Sequence, residues 1–180
     1  MTLYESFMQI DDPRRSQGKR TSLSQMFCMV CISYLCGHHG YRPVYKFCKA
    51  HVSLLGEELG LRHGIPSYVT FRDVMMRVDE QQLIRAFNAW AATYVSVDQG
   101  DWVSGDGKAL ASTVEHMQDS QQNFQAVVSI FCHKSGLIRL VEHYHNSQKS
   151  EQGVLKALIE HLRGAGAIIR MDALHTQKND

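Results

Sequence analysis

The 180 residues carry 44% hydrophobic and 21% charged side chains, which excludes a disordered or fibrous chain and predicts a soluble globular one. Nineteen Lys and Arg against eighteen Asp and Glu leave a net charge of +1, so no global field draws the chain to nucleic acid; such a contact has to come from a local patch. No apolar run is long enough to span a bilayer, and residues 1–10 lack the basic start and apolar stretch of a signal peptide. The expected location is therefore cytoplasmic, without a membrane partner, and the five cysteines are expected as thiols.

The first half is predicted helical. Asp11-Asp12-Pro13-Arg14-Arg15 forms a turn, followed by a polar stretch over 16–20. Ser22 is placed to cap a helix over 23–36 that is apolar nearly all round, the pattern of a central bundle helix, and Gly37 ends it. Val44, Phe47, Cys48, Val52 and Leu55 recur at helical spacing and predict one helix over 41–55. Gly56, Gly60 and Gly64 punctuate a loop, and Gly64-Ile65-Pro66-Ser67 turns into a segment over 70–78. Asp79 then caps a helix over 80–95, with Leu83, Ile84, Phe87, Trp90, Ala91 and Tyr94 on one face.

The second half changes period. Residues 101–105 form a short predicted strand, and 124–133 and 137–145 a hairpin closed by His133-Lys134-Ser135-Gly136. An amphipathic helix follows over 150–163, stopped by Gly164-Ala165-Gly166, and 167–171 reads as a buried strand. A strand reached through a crossover helix is most simply placed parallel to an earlier one. The expected fold class is α+β, with an all-helical domain over 1–98 and an α/β domain over 99–180.

Two aspartates stand out as candidate chemistry. Asp106 and Asp172 each lie at or just past the end of a short apolar run, beside Gly or Ala. Such strand ends place metal-ligating carboxylates in α/β cores, although turn aspartates share the signature. Lys108 would lie near a phosphate held there. The basic stretch Arg14, Arg15, Lys19 and Arg20 is a candidate phosphate contact or a solvated loop, and Arg42, Lys46 and Lys49 share one helix side that extends it. Cys28, Cys31 and Cys36, in an apolar helix, suit packing better than a zinc knuckle. Glu142, His143 and His145 suit an exposed strand end better than a metal site. No phosphate-cradling glycine loop or nucleophile elbow is present, and no small-molecule substrate is expected.

Five stretches resemble a known family, the insertion-sequence transposases of the ISAs1 or H-repeat-associated group, of the DDE class. Asp12-Pro13-Arg14-Arg15 with a helix and Gly37 resembles the opening of its N-terminal associated domain, and Gly64-Ile65-Pro66-Ser67 with Thr70-Phe71 resembles its linker motif. Asp106-Gly107-Lys108 and Asp172-Ala173-Leu174-His175-Thr176-Gln177-Lys178 resemble the segments that hold its first two catalytic aspartates, and Lys149-Ser150 with Glu151 its Lys-Ser-Asn-Glu-like segment. The chain departs from the family pattern at Ala111 and Asp73, where arginines are usual.

The resemblance implies an incomplete ribonuclease-H-like core, with Asp106 on its first strand and Asp172 after its fourth. These two would be catalytic metal ligands for Mg²⁺ or Mn²⁺, with Arg14, Arg15, Lys19, Arg20, Lys108 and Lys178 on DNA. It implies DNA transposition by metal-dependent phosphodiester cleavage and strand transfer, with transposon-end DNA as partner. Family members run about twice this length and supply a catalytic Glu downstream, so the expected form is a truncated, inactive fragment. The alternative is a non-catalytic DNA-binding or inhibitory subunit acting on transposon ends or on full-length transposase. A strand left uncovered at 167–171 would favour a homodimer.

Overall fold

A computed structural model describes residues 1–17, 19–110, 113, 123–162 and 164–171. The chain divides into two compact units, Met1–Ala86 and Phe87–Asp180. Among the described residues no helix is long and apolar enough to cross a membrane.

The first unit is helical. Thr2 and Glu5 form a capping box that starts α1 (Leu3–Phe7), a short helix without a sequence period to announce it. Ser22 and Gln25 form a second box at α2 (Leu23–Leu35), as the sequence predicts. α2 supplies the centre of the core: Met26 and Met29 are fully buried and pack with Val44, Cys48, Phe71 and Val74. The predicted helix over 41–55 is two helices, α3 (Tyr41–Ala50) and α4 (Val52–Glu58). They part at His51, whose backbone leaves the helical region (φ −111°, ψ 28°) while its ring Nδ1 lies 2.9 Å from the Phe47 carbonyl. α5 (Tyr68–Arg77) starts two residues earlier than the segment read from the sequence, because the Ser67 hydroxyl accepts from the Thr70 N–H. The division into units falls within α6 (Glu80–Ala92).

The second unit holds β1 (Trp102–Ala109), β2 (Gln125–Cys132), β3 (Leu137–His145), α7 (Glu151–Glu160) and β4 (Ile168–Arg170). The sheet order is β3-β2-β1-β4. The first three strands are antiparallel neighbours and β4 runs parallel to β1, as a crossover helix requires. The fold is thus mixed α and β, a helical N-terminal region followed by a four-stranded mixed sheet. Val103, Val128, Ile130, Cys132 and Leu140 form one buried face with Val154, Leu155 and Leu158 of α7.

Two strand expectations are corrected. β1 does not stop at Gly105 but continues to Ala109, paired with β2 from Val103↔Cys132 through Ala109↔Ala126. Gly105 and Gly107 look like strand terminators in the sequence. In the sheet they are close-approach positions: a Cβ on Gly105 would collide with the Leu155 side chain, and one on Gly107 with Glu151. The strand predicted as buried over 167–171 is the exposed β4, with Ile168 and Ile169 42% and 36% accessible. β4 pairs only with β1 among the described strands.

Candidate functional site

Alternation along β1 sorts its residues onto two faces. Val103, Gly105 and Gly107 face α7, while Ser104, Asp106 and Lys108 lie on the opposite face with their partners Phe131, Ser129 and Val127. Asp106 therefore sits in mid-strand rather than at a strand end, opposite Ser129, and is exposed. Its carboxylate makes no hydrogen bond or ion pair among the described residues. Beside it, the Ser104 hydroxyl is hydrogen-bonded to His133 Nε2. Lys108 is exposed two residues on.

The parallel pairing of β4 on β1 sets Trp102 against Ile168, Val103 against Ile169 and Ser104 against Arg170. Asp172 and Lys178 lie outside the described residues. Among those described, no group of three or more His, Cys, Asp or Glu side chains is placed to hold a metal ion. Asp106 offers one carboxylate beside two hydroxyls, which fits part of the oxygen shell a hard divalent cation takes but does not complete it. Burial pushes the thiols of Cys28, Cys31 and Cys48 up, which lowers their thiolate fraction. His143 is buried on β3, with His145 ring-to-ring at 5.6 Å.

The four basic residues near the front divide by partner. Arg14 grips Asp12 through two hydrogen bonds, Nε to Oδ1 at 2.9 Å and Nη2 to Oδ2 at 2.7 Å, and also donates to the Thr21 carbonyl. Burial alone would push the Asp12 carboxyl up, but Arg14, with Lys19 at 3.9 Å, outweighs it and holds the carboxyl below its ordinary range. Arg15 and Arg20 are exposed and have no ionic partner among the described residues. On α3, Arg42, Lys46 and Lys49 are exposed, with the Arg42 guanidinium 5.5 Å from the centre of the Tyr68 ring.

The fold brings a second segment to this cluster. Arg14, Arg20, Thr21, His63, Ser67 and Thr70 line a polar pocket of about 260 Å³ within the helical unit. His63 is a functional candidate that the sequence did not single out, whereas Ser67 and Thr70 stood there only as part of the linker-like motif Gly64-Ile65-Pro66-Ser67 with Thr70-Phe71.

Comparison with known proteins bears on the same region. Residues 4–91 match the DDE_Tnp_1-associated family, which supports a DDE transposase-associated region over the front of the chain. The chain is also 33% identical over 106 residues to the "uncharacterized protein in dhlA 3'region" of Xanthobacter autotrophicus. That alignment covers 58% of this chain and 36% of the relative, so the chain aligns with about a third of the relative's length.

Proposed function

We propose that this chain is a transposase-family protein of the DDE class, resembling the ISAs1 group, whose helical unit contacts DNA and which uses Asp106 on β1, together with Asp172, to hold a divalent cation. The strand order β3-β2-β1-β4, with β4 parallel to β1 after a crossover helix, carries the reading; it is the order expected for the front of a ribonuclease-H-like core. Two residues on from the paired position Ser104 stands Asp106, and two residues on from its partner Arg170 stands Asp172. Asp172 itself lies outside the described residues, so the pairing of the two aspartates rests on the family resemblance of their segments.

When bound, Mg²⁺ or Mn²⁺ at such a site activates an oxygen nucleophile for attack on a phosphodiester and neutralises the leaving oxygen. The chain's own part is to hold Asp106 on a rigid central strand, with Lys108 beside it to receive a phosphate. A two-metal site of this class needs a third carboxylate besides Asp106 and Asp172. A non-catalytic role on transposon ends, or on full-length transposase, is favoured by one observation: Arg15 and Arg20 are exposed cations without ionic partners among the described residues.

Titration calorimetry with Mn²⁺ tests the cation site. Saturable binding is expected in the wild-type chain and its loss in both Asp106→Ala and Asp172→Ala, with thermal unfolding of Asp106→Ala unchanged because the residue is exposed. Binding retained in both variants would end the metal reading. DNA binding that persists in such a case would leave the non-catalytic role standing.

A further inference from the structure

We infer that the polar pocket between the 14–21 segment and the start of α5 is a discrete phosphate subsite that takes one backbone phosphate of DNA. This rests on the reading that the helical unit contacts nucleic acid, and it names a place and a set of groups for that contact. The lining holds two arginines, a histidine and three hydroxyl residues, and no carboxylate. That composition offers hydrogen-bond donors and, from Arg20, a positive charge unpaired among the described residues, which is what a phosphodiester oxygen requires and an apolar or cationic ligand does not.

The groups have different tasks. Arg14 is a positioning residue: its side chain is 10% accessible, with the guanidinium locked onto Asp12 and the Thr21 carbonyl, so it builds the wall rather than reaching a ligand. Arg20 is exposed, without an ionic partner among the described residues, and is the group able to close on a phosphate. His63 is exposed at the pocket's other side and supplies a ring N–H. The hydroxyls of Ser67 and Thr70 lie 3.0 Å apart, paired with each other, and the Ser67 oxygen already accepts the Thr70 N–H. The Thr70 hydroxyl hydrogen is left to turn toward a ligand when Ser67 donates to Thr70, and the Ser67 hydrogen in the reverse arrangement. Asp12 is paired with Arg14 and Lys19 and does not line the pocket.

The sources of phosphate are separated by two measurements on the full chain. Inorganic phosphate is titrated while amide resonances of residues 63–70 are followed by NMR. Binding of a mixed-sequence DNA duplex is followed by fluorescence anisotropy over a range of salt concentrations. The variants are Arg20→Ala, His63→Ala and, as a control, Arg62→Ala, an exposed arginine that does not line the pocket. Phosphate is expected to shift the 63–70 resonances in the wild type and in Arg62→Ala but not in Arg20→Ala. The Arg20→Ala change is expected to weaken DNA binding about tenfold and to reduce the salt slope by about one, and His63→Ala to weaken it by a smaller factor. Phosphate that shifts nothing in the wild type overturns the subsite even if DNA binds. Phosphate binding with a DNA slope unchanged in Arg20→Ala confines the pocket to free phosphate and overturns its role on DNA, while leaving DNA contact elsewhere intact. No DNA binding by the wild type at low salt removes the nucleic-acid reading and this inference together.

Discussion

The Glu151 side chain, in the first turn of α7, lies against Gly107 of β1, so closely that a Cβ on Gly107 would be 3.0 Å from Glu151 Cγ and nearer still to its carboxylate. One helical turn on, Leu155 makes the same approach to Gly105. These two contacts seat α7 on the strand that carries Asp106.

They separate two otherwise identical substitutions. Alanine normally gains on glycine inside a strand, because it restricts the unfolded chain. Here Gly105→Ala must displace the buried Leu155, and a loss of about 1–3 kcal/mol is expected. Gly107→Ala meets the far end of a Glu side chain that can turn aside, so its loss should be smaller. Urea unfolding of both variants checks the order, and an equal or reversed loss contradicts the packing described for α7.

Asn88 closes the outer edge of the sheet at one point. Its carboxamide donates to the Val141 carbonyl (2.9 Å) and accepts the Val141 N–H (2.8 Å), in the manner of a neighbouring strand. β3 pairs only with β2 among the described strands, so this position would otherwise present open backbone groups. Asn88→Ala is expected to cost about 1–3 kcal/mol. It should also speed amide exchange at Val141 and promote concentration-dependent aggregation.

The Asp12–Arg14 pair makes part of the stability depend on pH. The folded carboxyl is held below its ordinary value of 3.8, so folding is favoured above that value and the contribution is lost as pH falls through the lower folded value. Melting temperature should therefore drop on acidification below about pH 4 by more in the wild type than in Asp12→Asn. Equal acid slopes in the two proteins would show that the pair contributes nothing to folding.

Thiol chemistry distinguishes the cysteines. Cys36 is exposed just past the end of α2, Cys28 and Cys31 are half-buried, and Cys48 and Cys132 are buried. Burial also pushes Cys28, Cys31 and Cys48 up, which lowers their thiolate fraction at neutral pH. Titration with a disulfide reagent in the folded protein should give one fast thiol, abolished by Cys36→Ser. A fast phase that survives this change would place a second reactive thiol in the fold.

The local rules carried well wherever the deciding groups are three or four residues apart. Ser22 announces α2, and the His133-Lys134-Ser135-Gly136 turn announces the hairpin, because caps and turns are satisfied within one turn of chain. His51 was less legible, since nothing in the spacing of Val44, Phe47, Val52 and Leu55 marks the break between α3 and α4.

The sequence by itself determined the helical front, the helix-then-sheet order and the residue types able to touch phosphate or metal, since these follow from periodicity and side-chain chemistry. Tertiary structure decided how those residues are used. Pairing with β2 carried β1 past its two glycines and moved Asp106 from a presumed strand end to the middle of an exposed face, because Leu155 and Glu151 occupy the space those glycines leave. The same holds for the phosphate pocket. Arg20 and His63 belong to separate segments, and only the packing of the helical unit sets them around one cavity, in whose wall Arg14 is held by Asp12.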